Sequence, residues 1–344
     1  MRRPSFPYLL LFVIAFCSTF VGCPCVRSTV NNSESLRWWL FSNYGAQRMC
    51  PEMLKRGVPL KLAALGNASV GRFFPQQCQV QVDDARHVIV MTASGTGYAS
   101  MPVTKRVGFY CGLSVEYRPD FRMEEDSIYV WGRFSRLMAA PDLRILGVEN
   151  PVVSLATMTP VGNLATVLGQ GIVAGEIGRG FTVIQQDDGT EFSMDILMPP
   201  NRPRRQFQPG KDHVLLASDL AEVQPQAREF LGPFEVPGNG QALFAKFQVQ
   251  GNPILTAVVD KQTGDAWRQS YELAQPLGPP PGPVYGSMML QPGMVTQTAT
   301  LNRGMYYIVL ENQASAAFSP LGVPLPFTPG PATVGYSVEV GDRP

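Results

Sequence analysis

The chain has 344 residues, with 28 Lys and Arg against 27 Asp and Glu and only two His, for a formal charge of +1. Charged residues make up 16%, below the roughly 25% of ordinary soluble proteins, and so even a balance excludes a binder of nucleic-acid backbone, which needs a basic surplus. A hydrophobic content of 45% excludes wholesale disorder, the 33 Gly and 31 Pro favour strands and turns over long helices, and the length suits two domains.

Arg2 and Arg3 are followed by an almost wholly apolar run from Tyr8 to Val21. That run is shorter than the roughly 20 residues of a spanning helix and has the length of a secretory h-region. It ends in Phe20-Val21-Gly22-Cys23. This ending resembles the lipobox of bacterial lipoproteins, in which a small residue precedes a Cys that is acylated and becomes the new N-terminus. The match departs from the pattern at Phe20, where Leu is usual, and at the unusual follower Pro24. The resemblance implies a signal peptide over 1–22, lipidation at Cys23 and a tether over 23–33. It places the body on the periplasmic or surface face of a cell membrane or outer membrane, where two or more acyl chains give stable anchoring. The alternative is an ordinary cleaved signal that leaves Cys23 for a disulfide. Removal of Arg2 and Arg3 leaves 26 Lys and Arg against 27 Asp and Glu, so the anchor, not the body, holds the membrane.

With Cys17 in the signal and Cys23 lipidated, Cys25, Cys50, Cys78 and Cys111 remain as disulfide candidates, with three possible connectivities. Cys78 and Cys111 each fall on the apolar phase of a strand, and Cys25 and Cys50 bracket a helix, so the expected pairs are Cys25–Cys50 and Cys78–Cys111. No CxxC spacing exists and His87 lies far from His213, so neither a metal nor another cofactor is expected.

In chain order, Glu34 to Tyr44 reads as a helix with Ser33 as its N-cap. Pro51 suits the first position of a second short helix stopped by Gly57. The adjacent Trp38 and Trp39 point about 100° apart on a helix, so both cannot face one core stripe; core packing of both is still the commoner outcome, and the alternative leaves one near the anchor to rest on lipid or a partner. Strands follow over Cys78–Val82, His87–Met91, Phe109–Val115, Ser127–Phe134 and Leu143–Val148. Asn163 to Gly178 reads as a glycine-rich helix lying on the sheet, before a strand at Phe181–Gln185 and a hairpin turn at Asp187–Gly189. Pro199 to Lys211, with Arg202, Arg204 and Arg205, reads as a stiff, solvated linker. Beyond it, alternation at Leu243–Val249, Ile254–Asp260, Trp267–Leu273, Val295–Leu301, Met305–Glu311 and Thr333–Val340, with a turn at Lys261–Gly264 and a polyproline-like loop at Pro276–Pro283, predicts a β-sandwich. Gly304 to Asn312 resembles the late strand of C-terminal sandwich modules in secreted bacterial proteins. The expected fold is thus an α+β domain over 34–198, an antiparallel sheet with few helices, followed by an all-β sandwich over 212–344.

No Gly-x-Ser-x-Gly elbow is present, and any catalytic triad would have to use His87 or His213, both of which read as edge or surface residues. Gly169, Gly171 and Gly175 depart from dinucleotide-binding spacing and suit close helix packing. Asp187, Asp188 and Glu191, or Asp260 and Asp265, offer oxygen ligands for calcium without matching a known loop. These readings assign no catalytic, cofactor-binding or metal residue. They favour an envelope-anchored, non-catalytic binding or assembly module whose partners are the membrane, through its lipid, and an envelope protein or glycan. The alternatives are a lipid or apolar-ligand binder, with a groove under the 163–178 helix, and a secreted hydrolase.

Overall fold

Alternation of apolar and polar residues drives most of the described chain into antiparallel strands. The computed structural model describes residues 24–61, 69–101, 105–150, 177–186, 189–313 and 330–343. Three helices come first: α1 (Pro24–Asn32), α2 (Glu34–Leu40) and α3 (Ala46–Leu54), with a π-helical turn at Phe41–Gly45 joining the last two. Strands β1 (Val58–Leu60), β2 (Gly71–Asp83), β3 (Val88–Met101), β4 (Lys105–Met123), β5 (Ser127–Leu137), β6 (Asp142–Val148), β7 (Phe181–Gln186) and β8 (Gly189–Ser193) form one sheet. Its order is β1-β2-β3-β4-β5-β7-β8, with β6 paired to β4. At 19 residues β4 has room for two partners along one edge: Val115–Met123 pairs with β5 and Val107–Gly112 with β6.

Strands β9 (Val214–Val223), β10 (Ala227–Val236), β11 (Gln241–Gln250), β12 (Ile254–Asp260), β13 (Val284–Leu290), β14 (Gly293–Thr300), β15 (Gly304–Asn312) and β16 (Ala332–Asp342) form two four-stranded sheets, ordered β10-β15-β12-β13 and β14-β11-β16-β9. Leu231, Ile254 and Ile308 of the first meet Phe247, Val338 and Ala221 of the second in one buried core, a sandwich-like arrangement.

Several expectations change. The supposed polar tether is helical from Pro24: Val26 and Val30 pack on the sheet core, and the Asn31 amide both donates to the Met123 carbonyl (2.8 Å) and accepts from its N–H (3.0 Å). Pro51 lies inside α3 and does not start it. Its missing N–H deprives only the Gln47 carbonyl, and both residues are exposed to water. Trp267–Leu273 is no strand but part of helix α4 (Lys261–Glu272), because Asp260 caps it by accepting from the Thr263 N–H at 2.8 Å, and Lys261–Asp265 and Arg268–Glu272 pair at i,i+4 spacing. Strands β10 and β13 were not anticipated. The 163–178 helix and the Asp187–Asp188 turn fall mostly or wholly outside the described residues, as do Gly169, Gly171 and Gly175; only a 3₁₀ turn at Ile177–Arg179 is described there.

The segment read as a solvated linker is instead a strap tied to both sides. Arg202 pairs at 3.3 Å with Asp126, in the turn between β4 and β5, and Arg205 with Glu191 of β8. On the sandwich side, the Gln206 N–H donates to Ser218 Oγ (2.8 Å) and the Gly210 N–H to Glu339 Oε2 (2.8 Å). Glu339 also takes His213 Nδ1 (3.0 Å) and Lys246 Nζ (3.1 Å), and Lys246 donates to the Gln208 carbonyl. Burial pushes the Glu339 carboxyl up, but these three donors outweigh it and hold the group below the usual glutamate range.

The sheet and the sandwich are fused through buried polar groups. Arg72 of β2 meets Glu229 of β10 at 2.9 Å, each side chain 5% exposed. The same guanidinium donates to the Gly57 carbonyl (3.1 Å) and to the Tyr336 hydroxyl (3.0 Å), while Tyr98 donates to Glu229 (2.9 Å) and accepts from the Phe230 N–H (2.7 Å). Burial lifts the Glu229 carboxyl above the usual range and pushes the Tyr336 hydroxyl up to about 12. Around this pair Phe74, Tyr98, Phe230, Trp267, Tyr271 and Tyr307 form one buried aromatic cluster. Helix α4 is wedged into the same boundary. A Cβ at Gly264 would strike the Tyr307 ring at 2.1 Å, and one at Gly108 would strike the Glu272 carbonyl at 1.7 Å, so close approach requires glycine at both positions. Backbone bonds complete the junction: Ser69 N–H to Leu220 O (2.8 Å), Glu222 N–H to Ser69 O (2.9 Å) and Gly57 N–H to Gly232 O (2.9 Å).

Two predictions follow from these contacts. Glu229→Ala leaves Arg72 buried without a counter-charge and should cost about 3–5 kcal/mol in equilibrium denaturation, whereas Arg144→Ala, which removes an exposed pair with Asp142, should leave the midpoint unchanged. Equal effects of the two would refute the role given to the buried pair. Because the Glu339 pKa is depressed on folding, its stabilisation is present above the ordinary glutamate value of about 4.3 and is lost as pH falls through the folded value. The stability gap between wild type and Glu339→Gln should therefore shrink on acidification below about pH 4.3; a gap independent of pH would contradict this.

Candidate binding face

Helix α2 begins where Ser33, in an extended conformation, accepts the Leu36 N–H on its hydroxyl at 3.3 Å. One turn on, the two tryptophans diverge as helix geometry requires. Trp38 packs against the sheet core and donates its indole N–H to Asp84 Oδ1 at 2.9 Å. Trp39 is 48% exposed, edge-on to Tyr44 at 5.9 Å. His87 occupies the turn between β2 and β3 with a left-handed φ of 52°, and its ring stacks on Trp38 at 4.8 Å and 18°. Glu34 Oε1 lies 3.9 Å from His87 Nδ1.

A shallow depression opens on each side of this stack. One, of about 450 Å³, is completed by Ser35, Trp39, Ser42, Asn43, Val82 and Asp84. The other, of about 370 Å³, is bounded by Arg37, Arg86, Arg118 and Arg133 with Glu34 and Asp120. Arg37 pairs with Asp120 at 2.7 Å, which fixes α2 to β4. Arg86 bridges Asp83 (2.7 Å) and Glu116 (2.8 Å), and Arg136 also reaches Glu116 (3.1 Å). Burial raises the Glu116 pKa, but Ser135, Arg86 and Arg136 together hold it below the usual range.

The disulfide that positions this face joins Cys50 of α3 to Cys78 of β2, with Cα atoms 5.3 Å apart. The expected Cys78–Cys111 pair does not form because β3 lies between their strands: Cys78 registers with Ala93 and Cys111 with Gly95. Two strand spacings, about 9.6 Å, exceed the reach of a disulfide. The expected Cys25–Cys50 pair gives way with it, and Cys25 lies in α1. Cys111 is a buried free thiol, pushed up to about 11 chiefly by burial.

The other candidate residues are occupied elsewhere. His213 pairs with Glu339 and stacks on Phe244 at 4.2 Å, and the fold does not bring it to His87. Asp260 caps α4, Asp265 accepts from the Tyr307 hydroxyl at 2.7 Å, and Glu191 holds Arg205. Among the described residues no cluster of three or more His, Cys, Asp or Glu is placed to hold a metal ion. Trp131 and Trp267 are both buried. The residues that sequence reasoning passed over are the arginines: Arg86, Arg118 and Arg133 are far apart in sequence, and strand register alone brings them together.

The chain matches no family model, and no curated protein is significantly similar to it in sequence. Among solved structures it is similar to a carbohydrate-binding module of Cellvibrio mixtus lichenase 5A, in complex with cellotriose. The two are 9% identical, the match covers 39% of this chain and 93% of the module, and the TM-score is 0.21.

Peptide mapping without reduction should recover Cys50 joined to Cys78 and Cys111 as a free thiol. Cys50→Ala should cost about 2–4 kcal/mol, because the cross-link restricts the unfolded chain. Recovery of a Cys78–Cys111 peptide would overturn this assignment.

Proposed function

We propose that the chain is a non-catalytic binding module of the cell envelope, anchored by lipid at Cys23, with an α+β domain followed by a β-sandwich domain. Its recognition surface is the face built by Trp38, Trp39 and His87, and its partner is an envelope glycan. The observation that carries this reading is a half-exposed tryptophan beside a stacked indole–imidazole pair, with a polar depression on either side. An exposed aromatic face with hydrogen-bonding groups at its edge suits an amphipathic ring such as a sugar, which presents C–H on its faces and hydroxyls around its rim. Ser35, Ser42, Asn43 and Asp84 supply donors and acceptors at that edge.

Export is supported by the signal-like N-terminus and by the disulfide, which persists in an oxidising compartment. Among the described residues, neither histidine hydrogen-bonds to a serine or cysteine, the pairing a nucleophilic hydrolase uses. Helix α1 starts directly after Cys23 and packs on the sheet, so an acylated Cys23 holds this domain close to the bilayer with no flexible spacer between them.

Two measurements test the proposal. On an array of envelope glycans the native protein should bind, and Trp39→Ala should weaken binding about tenfold with an unchanged melting curve, since the side chain is half exposed. Absence of binding by the native protein to every glycan would sink the reading. Separately, the wild type should partition into detergent and Cys23→Ser should not, while an unmodified N-terminus in the intact mass of the mature protein would remove the anchor.

A further inference from the structure

We propose that the basic depression beside Trp38 is an anion subsite, in which Arg118 and Arg133 together take the carboxylate of an acidic saccharide. This rests on the glycan-binding reading of the same face and narrows it to a class of ligand.

Strand register sets the charge pattern of this depression. On the β4–β5 ladder Glu116 stands opposite Arg136, a matched pair, and past the bulge between Glu116 and Tyr117 the next position on that face puts Arg118 opposite Arg133. Like charges placed directly across a strand pair destabilise it. Of the neighbouring carboxylates three are engaged elsewhere, and the fourth, Glu34 on the rim, is 81% exposed and pairs with neither arginine, its near neighbour being His87 Nδ1 at 3.9 Å. Asp120 holds Arg37, Asp83 holds Arg86, and Glu116 is shared between Arg86 and Arg136. Among the described residues Arg118 and Arg133 have no ion-pair or hydrogen-bond partner, and both are exposed.

Two unmatched guanidinium groups therefore meet in one concave site, in a protein whose formal charge is only +1. A carboxylate placed between them accepts from two forks of donors, the geometry for which arginine is better suited than lysine. The depression also shares Trp38 and His87 with the aromatic lobe, so one ligand can rest its ring on the aromatic side and its acid on the arginine side. A concave site of about 370 Å³ suits a sugar acid better than a flat anionic bilayer surface.

The test uses the full chain and a panel of uronic- and sialic-acid oligosaccharides, each beside its carboxyl-reduced counterpart. The native protein should prefer the acid form about tenfold, and that ratio should fall to about one in Arg118→Gln and in Arg133→Gln. Both variants should melt at or above the native midpoint, because a like-charge contact is removed; a lowered midpoint would mean that the arginines have partners within the fold, and would overturn the proposal. Equal native affinity for acid and reduced forms would overturn the anion subsite and leave the aromatic face standing, whereas failure to bind either form would overturn both. Arginine-dependent binding to vesicles containing phosphatidylglycerol, with no preference among the saccharides, would replace the sugar acid with a lipid headgroup and so refute the proposal.

Discussion

One charge pair, Arg72 with Glu229, sets the terms for the rest of the molecule. Neither ion is stable out of water alone, and the loss of hydration is recovered only if the partner and the remaining donors and acceptors are all in place. Here the partners come from four strands in three sheets: Arg72 from β2, Tyr98 from β3, Glu229 from β10 and Tyr336 from β16. Satisfying them positions the eight-stranded sheet on the sandwich in one way. The aromatic cluster around the pair excludes water, which strengthens each of these bonds and makes any loss of alignment more costly. Helix α4 belongs to the same arrangement. Arg268 lies over the Phe74 ring at 4.1 Å and Arg106 over the Tyr271 ring at 4.3 Å, so cations from both sides close on aromatic faces of the other.

The parts of the fold that could be read from sequence are those whose two faces differ in polarity. β11 alternates because Leu243, Ala245 and Phe247 point into the sandwich core while Phe244, Lys246 and Gln248 are only half-buried, and β16 alternates because Val334, Tyr336 and Val338 join that core while Ser337 and Glu339, though buried as well, lie on its polar face. β10 gives no such signal. It is buried on both faces, and Arg228 and Glu229 look like surface residues until their side-chain partners are known: Glu311 and the Gly278 carbonyl, each at 2.7 Å, for Arg228, and Arg72 for Glu229. A break at Gly232-Pro233 interrupts it further. Helix α4 was hidden by Thr263 and Gly264, which read as a turn. The Asp260 cap was visible in the sequence, but the reason for a glycine within the helix, the Tyr307 ring lying against it, is a contact at long range.

The candidate face was legible by half. The divergence of Trp38 and Trp39 follows from helix geometry alone, and so does the Ser33 cap. The placement of Arg118 against Arg133 depends on hairpin register and on a bulge that shifts it, neither of which residue spacing reveals. The cysteines illustrate the same limit. Strand phase identifies which face a side chain takes, but strand order decides whether two residues on one face are neighbours, and β3 separates Cys78 from Cys111.

The shared charge pair also bears on how such a protein can be inherited. A domain joined to its neighbour by a pliable connector can be duplicated, exchanged or lost as a unit, since its surface is complete by itself. Here each half carries one member of a buried ion pair and one side of an aromatic cluster, so either half transplanted to another chain would bring an orphaned charge with it.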